Sequence, residues 1–172
     1  MRGFQLWINL PAQEKMKPAN YQDIQPEEIP GLTLPGGGEV KIIAGTAAID
    51  GKTITGPIRD ISTEPLFLDV RLPAGGHFKH SISTGHNAFV YPYEGRVEIG
   101  PATQLRPLDA QSAGVLSTGN YLEIQAAEQP AAFLLLAARP LREPIVQYGP
   151  FVMNTREEIE QAMADYKNGQ LV

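Results

Sequence analysis

The stretch that decides the fold is PLREPIVQYGPFVMNT, residues 140–155, because the sequence pattern differs on its two sides. Before it, apolar residues alternate with polar ones, or form short runs between glycine and proline turns, as is typical of β-strands. After it, Thr155 and Glu158 have the spacing of a capping box, which predicts that a helix begins here. One face of that helix is predicted to be apolar: Ile159, Ala162, Met163 and Tyr166. We therefore expect many short strands followed by one C-terminal α-helix.

The strand preceding this stretch reads FLLL at residues 133–136 and is apolar on both faces, which predicts a place in the middle of the core. Residues 66–72 alternate, with one apolar face. Glu94 and Gly95 separate strands 88–93 and 96–99 and predict a two-residue hairpin turn. Pro92 predicts an edge strand or a bulge. Further strands are predicted at residues 4–10, 40–44, 113–116, 121–125 and 131–138.

Composition limits the class of protein. The chain has 172 residues, enough for one domain with a core, and its 17 glycines and 15 prolines agree with many turns. A net charge of −5 argues against nucleic-acid binding, which needs a basic surface. Zero cysteines exclude disulfides and thiolate chemistry. Neither a membrane-spanning run nor a signal-peptide pattern is present, so a cytoplasmic location is expected.

Several segments resemble the pirin family, whose members are two-domain cupin proteins. Residues 73–100 (PAGGHFKHSISTGHNAFVYPYEGRVEIG) and 113–124 (AGVLSTGNYLEI) are similar to the two cupin motifs. The opening GFQLWINLP, the segment EKMKPANYQDIQPEEIP and residues 140–155 resemble pirins specifically. The resemblance implies a C-terminal cupin half, an RmlC-like all-β jelly-roll barrel over residues 1–172. Its expected parts are an inter-half strand (1–12), a surface crossing (13–38), the barrel (39–153) and the C-terminal helix (154–169).

The resemblance also implies where a cupin would hold a metal ion. If Gly95 is the glycine of the first motif, the ligand glutamate position is Ala88, and the ligand histidines fall within residues 81–84, which read SIST. If Gly119 is the glycine of the second motif, its histidine position is Leu122. None of these side chains suits iron, zinc or copper. We therefore expect no metal ion or other cofactor in this chain, and the family's iron in a first half that this sequence does not contain.

Three histidines still deserve weighing as a fallback metal site: His77, His80 and His86. We place them on a glycine-rich loop near the barrel mouth. Three-residue spacing on a loop does not direct His77 and His80 toward one point, so we interpret them as exposed or hydrogen-bonded loop residues. A hydrolase triad is conceivable from Ser81 or Ser83 with His86 and Asp109, but no Gly-x-Ser-x-Gly motif exposes a serine.

Aromatic residues offer an alternative to metal chemistry. Trp7, Tyr91 and Tyr93 are able to line a ligand cavity or to pack against a neighbouring layer, and we favour packing.

Two functional hypotheses follow. The first is a metal-free C-terminal cupin that acts as a structural, interaction or small-molecule-binding module. Its expected partner is a second copy in a homodimer, a partner cupin half or a regulatory protein, because strand 4–10 would otherwise expose an apolar stripe and a free edge. The alternative is half of an iron-dependent quercetin 2,3-dioxygenase-like pirin. In that case this chain alone is not expected to consume quercetin.

Overall fold

The fold was obtained as a computed structural model, which describes residues 3–171. The described residues group into two compact units. Residues 23–140 form what we call the sheet unit. Residues 3–22 and 141–171 form the terminal unit. The expected barrel segment, 39–153, therefore extends beyond the sheet unit, because residues 141–153 group with the C-terminal helix. Residues 1 and 2 of the expected segment 1–12 lie outside the described range.

The sheet unit consists of short strands joined by turns. In chain order they are β1 (Gly31–Thr33), β2 (Glu39–Ala44), β3 (Thr46–Ile49), β4 (Lys52–Thr55), β5 (Leu66–Leu72), β6 (His77–Ser81), β7 (Asn87–Glu94), β8 (Arg96–Ile99), β9 (Arg106–Asp109), β10 (Gly114–Val115), β11 (Tyr121–Ala126) and β12 (Ala131–Ala138). A 3-10 turn at Pro26–Glu28 precedes β1.

These strands form separate antiparallel sheets. The larger sheet has six strands in the order β1-β2-β5-β12-β7-β10, and the other main sheet has four in the order β6-β11-β8-β9. β3 and β4 pair only with each other. The predicted class, mostly antiparallel β structure with one C-terminal helix, is confirmed. The ladders of the described strands do not close into a single barrel, since β10 and β1 end the larger sheet and β6 and β9 end the smaller one.

The core lies between the two main sheets. Phe78 on β6 and Phe133 on β12 meet edge to face with ring centroids 6.0 Å apart, so one aromatic contact joins the sheets. Fully buried aliphatic side chains surround this pair, and burial of such side chains is the main driving force for folding. They include Ile42, Leu68, Val70, Val90, Val97, Ile124 and Leu135.

β12 occupies the central place that its apolar run predicted. It pairs with β5 on one side and β7 on the other, and seven of its eight residues are buried. The register between β7 and β12 shifts between Ala132, opposite Glu94, and Phe133, opposite Pro92. The bulge predicted at Pro92 is thus confirmed. β7 is not an edge strand, because β10 pairs with its other side.

The predicted hairpin at Glu94 and Gly95 is wrong. β7 belongs to the six-stranded sheet, whereas β8 pairs with β11 and β9 in the four-stranded sheet. The chain therefore crosses between sheets at Gly95, which has φ +67°. A Cβ at this position would lie 2.3 Å from the carbonyl oxygen of Pro130, so only glycine fits without displacing backbone. Short-range turn chemistry indicated a sharp turn but not which strands would pair.

The predicted histidine loop is also wrong in part. Residues 77–81 form β6, which pairs with β11 so that His80 lies opposite Leu122 and His77 opposite Gln125. Glycines before β6 and the polar composition hid a strand whose residues alternate between exposed and buried. Of the three histidines, only His86 lies in the connection that follows β6, where its backbone N–H donates to the backbone carbonyl of Ser83 at 3.0 Å.

The terminal unit contains a hairpin and the helix. β13 (Val146–Tyr148) pairs with β14 (Phe151–Met153), and α1 runs over Arg156–Lys167. The predicted capping box is present: the Glu158 N–H donates to Thr155 Oγ1 at 3.2 Å, and the Thr155 N–H donates to Glu158 Oε2 at 3.0 Å. Within the described part of the chain, no helix has the length and apolarity that crossing a bilayer requires.

The strand predicted at residues 4–10 is wrong. This segment is neither helix nor strand and leads into a 3-10 turn at Ala12–Glu14. Alternation of apolar and polar residues indicates two unlike faces, but a strand also needs a backbone ladder, and the described strands provide none here. Lys15 holds the segment to the hairpin instead: its Nζ donates to Asn9 Oδ1 at 2.6 Å and to the Val152 carbonyl at 2.9 Å.

Candidate functional site

β6 carries two of the three histidines and directs them to opposite sides of the sheet. Successive side chains on a strand point to opposite faces, so residues three apart lie on opposite sides. His80 faces inward beside Phe78 and is 5% exposed, while His77 is exposed on the outer face. The fallback site of three histidines is therefore not assembled, because His77 is directed away from the other two.

His80 and His86 line one cavity of about 510 Å³ in the sheet unit. We call it the His80 cavity. β6 supplies His80 and Ser81, the following connection supplies Ser83 and His86, and segment 59–66 forms the opposite wall. Apolar side chains also line the cavity: Ile61, Pro65, Leu66 and Ile82. A cavity of this size and mixed lining is typical of sites for small molecules.

His80 is the buried polar group of this cavity. Its ring stacks on Phe78 with centroids 6.0 Å apart. Burial lowers the pKa of His80 below its ordinary value of 6.5, and a hydrogen bond with the backbone of Ala48 opposes that shift. The ring is therefore neutral near pH 7. Its Nδ1 is buried and has no hydrogen-bond partner among the described residues. Buried polar atoms without a partner are rare and point to a water, ion or ligand that the protein accommodates.

At the rim of the His80 cavity, the Glu64 carboxylate lies close to both His86 and Arg139. His86 Nε2 lies 3.6 Å from Glu64 Oε2, and Arg139 Nη2 lies 3.6 Å from Glu64 Oε1. Arg139 Nη2 also donates to the Ser62 carbonyl, and its backbone N–H donates to the Thr63 carbonyl at 2.8 Å. The Glu64 side chain is 63% exposed, so solvent weakens both ion pairs. This group orients His86 more than it stabilises the fold.

Segment 60–64 has backbone features that the sequence reading missed. Asp60 and Glu64 have positive φ values of 60° and 48°, a backbone conformation that residues other than glycine and asparagine seldom adopt. Both residues line the His80 cavity. Such conformations concentrate at functional sites and binding loops. No periodicity or turn motif marked this segment, so the sequence alone had no signal for it.

The hydrolase triad does not assemble. Ser81, Ser83 and His86 do line the same cavity, but Asp109 is not among its lining residues. Asp109 Oδ1 accepts a hydrogen bond from Arg96 Nε at 2.6 Å across the β8–β9 hairpin. That contact also lowers the pKa of the Asp109 carboxyl group. The triad as predicted, with Asp109, is therefore not assembled, and the carboxylate beside His86 is that of Glu64.

Neither tyrosine that was considered as a ligand contact lines the His80 cavity, and Tyr93 binds a neighbouring strand. Tyr93 OH donates to Asp69 Oδ1 at 2.6 Å on β7 and β5, and burial together with this bond raises the pKa of Tyr93. Neither Tyr91 nor Tyr93 lines the His80 cavity. Trp7 lies in the terminal unit and is 67% exposed.

With this geometry described, comparison with known proteins identifies the family. The family model of the pirin C-terminal cupin domain matches residues 67–172. This chain belongs to the pirin family. A Pseudomonas aeruginosa protein with the provisional name quercetin 2,3-dioxygenase is 45% identical over 173 residues, which cover 99% of this chain and 59% of that protein. Human pirin is 38% identical over 170 residues, covering 98% of this chain and 56% of human pirin.

Solved structures agree with this assignment. The crystal structure of a quercetin 2,3-dioxygenase from Acinetobacter baumannii has a TM-score of 0.83 and 32% identity, covering 96% of this chain and 55% of that one. The pirin chain described here thus spans between half and three fifths of the length of these relatives.

The metal-ligand positions implied by the cupin motifs lie together in this pirin domain. Ala88, Leu122 and one of residues 81–84, Ile82, line a second cavity of about 420 Å³, which we call the Leu122 cavity, whereas Ser81 and Ser83 line the His80 cavity. His86 borders the Leu122 cavity as well. Aliphatic side chains have no lone pair for a transition metal, and His86 supplies a single donor. Glu123 also borders this cavity, but its Oε1 accepts a hydrogen bond from Lys79 Nζ at 3.0 Å.

These residues do not fit an iron ion. Across residues 3–171, no three or more histidine, aspartate or glutamate side chains are arranged as a metal site. His86 borders both cavities, and His80 lines only the His80 cavity.

Proposed function

We propose that this pirin domain functions without a metal ion of its own, as an interaction or small-molecule-binding module. The observation that supports the proposal is that Ala88 and Leu122, which stand at implied cupin ligand positions, line one cavity together with Ile82 from the implied range 81–84. Without donors at that point the chain has no means of activating oxygen there, while the adjacent His80 cavity has the volume and the mixed polar and apolar lining of a small-molecule site.

Metal content tests this proposal. The purified chain is incubated with Fe²⁺ or Zn²⁺, desalted and measured by inductively coupled plasma mass spectrometry, and we expect far less than one equivalent. As a positive control, the triple variant Ile82→His, Ala88→Glu, Leu122→His restores donors at the implied positions. It should bind zinc with a dissociation constant of about 1 μM or tighter. Near-stoichiometric metal in the wild-type chain, lost in His80→Asn, would refute the proposal.

A second candidate is favoured by the relatives. We propose that, when joined to a metal-bearing first half, the domain serves as the metal-free half of a quercetin 2,3-dioxygenase-like pirin. The supporting observation is the likeness over 96% of this chain to only 55% of the Acinetobacter baumannii quercetin 2,3-dioxygenase. The chain alone, mixed with Fe²⁺ and quercetin, should leave the flavonol absorbance unchanged. Turnover by the isolated chain would contradict this division of roles.

Self-association is the form of interaction that we propose. The segment at residues 4–8 places exposed apolar side chains, among them Trp7 and Ile8, in the terminal unit. Their alternating pattern is able to pair with the same segment of a second copy, which would supply the ladder that the described strands do not. Sedimentation velocity should give a dimer that Ile8→Ser weakens. Tyr21→Ser, a control at a residue that is 88% exposed, should not. A monomer at micromolar concentration would exclude the homodimer and leave a cupin half or another protein as partner.

A further inference from the structure

We propose that the Leu122 cavity binds a small uncharged molecule whose apolar body packs against Ile82, Ile99 and Leu116. This inference rests on the proposed metal-free binding function and names a ligand class for one of the two cavities. It depends on the exposure of the apolar walls, on the volume of the cavity and on the charges around it.

The apolar walls of the Leu122 cavity have surface that a ligand can cover. Ile82, Ile99 and Leu116 pack against the core and yet are only partly buried, and all three line this cavity. Ala88 and Leu122 line it as well and are buried members of the core. A ligand that removes the exposed aliphatic surface from water gains free energy by doing so, provided that its own surface is apolar.

The volume of the cavity sets the size of the ligand. About 420 Å³ lies within the range of small-molecule sites in proteins and is far more than one water molecule occupies. A single ring with a short substituent fits within it. Such sites combine mostly apolar walls with a few polar groups, and here Ser117 and Thr118, both exposed, supply hydroxyl groups for a polar substituent.

The charged groups favour a neutral ligand over an ion. In the described part of the chain, neither lysine nor arginine lines this cavity, so an organic acid would lose its hydration without meeting a cationic side chain. His86 borders the cavity, but its Nε2 lies 3.6 Å from Glu64 Oε2, so that carboxylate offsets the charge of a protonated ring. Glu123 is also part of the lining, and its Oε1 accepts a hydrogen bond from Lys79 Nζ at 3.0 Å. A cationic ligand would therefore compete with Lys79.

The adjacent His80 cavity provides a contrast within the same unit. Arg59, Asp60 and Glu64 line it. An apolar ligand there would take water away from charged side chains without replacing the hydrogen bonds that water makes. We therefore expect an uncharged apolar molecule to prefer the Leu122 cavity.

Two probes of nearly equal shape test the proposal on the full chain. Cyclohexylmethanol is neutral, whereas cyclohexanecarboxylate is an anion near neutral pH. In methyl-detected NMR titrations, cyclohexylmethanol should bind with a dissociation constant of about 1 mM or tighter and shift the methyl resonances of Ile99 and Leu116. Those of Ile61 and Leu66, which line the His80 cavity, should not shift. The carboxylate should bind at least about tenfold more weakly.

A matched pair of variants locates the binding. Ile99 and Ile54 are both partly buried strand residues packed against the core, and of the two only Ile99 lines the Leu122 cavity. Threonine keeps the β-branched shape that strands favour. Ile99→Thr should weaken the binding of cyclohexylmethanol about fivefold, because apolar contact surface is lost, and Ile54→Thr should leave it unchanged.

Four outcomes would overturn the proposal: no binding of cyclohexylmethanol, equal affinity for the two probes, shifts at Ile61 and Leu66 in place of Ile99 and Leu116, or equal effects of the two variants. Each of them leaves the metal-free function standing, because that function is decided by metal content. If Ile99→Thr does not fold, the two probes and the methyl shifts of the wild-type chain still decide.

Discussion

The two cavities of the sheet unit share Ile82 and His86 and yet differ in chemistry. The Leu122 cavity contains the implied ligand positions Ala88 and Leu122, and its polar lining comes from other residues, among them Ser117, Thr118 and Glu123. The His80 cavity lies beside it and has a buried imidazole, several hydroxyl groups and a charged rim. The difference teaches that two neighbouring cavities of one sheet unit present different side chains, with His80 in one and Ala88 and Leu122 in the other. Measurements that separate the two cavities therefore test the functional conclusion directly.

The largest expected effect is at the crossing that links the walls of the Leu122 cavity. Gly95 connects β7, which carries Ala88, with β8, which carries Ile99. Gly95→Ala should lower the free energy of unfolding by about 3 kcal/mol or more, because the new Cβ meets the Pro130 carbonyl at a positive φ. Urea denaturation measures it. Gly51→Ala, with φ +72° and open space around its Cβ, should cost only about 1 kcal/mol. Equal losses would show that the crossing is not tight.

The next effect compares the cavity walls themselves. Leu122 is buried among core side chains, so Leu122→Ala should lower the free energy of unfolding by about 3 kcal/mol. Ser81 is exposed at the His80 cavity, and Ser81→Ala should change stability by less than about 0.5 kcal/mol. Chemical denaturation of both variants gives the contrast. Similar losses of unfolding free energy in the two variants would mean that Leu122 contributes no more to the core than Ser81 does.

The pH dependence of stability should identify the His80 cavity. Burial lowers the folded-state pKa of His80, so the unfolded chain takes up the proton first as the pH falls. The contribution of neutral His80 is thus fully present above the ordinary pKa of about 6.5 and is lost as the pH drops toward the folded-state pKa. Between about pH 7.5 and about pH 5.5, the free energy of unfolding should fall more for the wild type than for His80→Phe. His77→Phe serves as the control and should follow the wild type. Parallel losses in wild type and His80→Phe would contradict a buried neutral ring.

The smallest effect is expected at the rim of the His80 cavity, where Glu64 lies close to His86. Glu64→Gln removes the carboxylate from the contacts with His86 and Arg139, and it should change the free energy of unfolding by less than about 0.5 kcal/mol. Thermal melting at low and high salt measures this change, which should shrink as salt increases. A loss of several kcal/mol would show that the rim supports the fold and does not merely orient His86.

The sequence predicted the elements whose evidence is local. β5 and β12 were found at residues 66–72 and 131–138 because alternation or continuous apolarity reports the burial of their own side chains. The helix was found because its cap and its apolar face are both encoded within three turns. Glu94 and Gly95 led to the wrong prediction of a hairpin, because local residues specify a sharp turn but not which strands pair. Residues 77–81 were missed as a strand because their partner, β11, lies some forty residues later.

The site divides in the same way. The resemblance to the cupin motifs placed Ala88 and Leu122 at implied ligand positions, and the sequence shows that both side chains are aliphatic. The folded chain alone decided that Ile82, Ala88 and Leu122 surround one cavity, and that His80 turns inward while His77 turns out. Composition and local pattern are properties of neighbouring residues, whereas a cavity is made by backbone pairing between distant ones. For that reason the sequence by itself gives the identity of Ala88 and Leu122, whereas only the tertiary structure shows that the Nδ1 atom of His80 is buried without a hydrogen-bond partner.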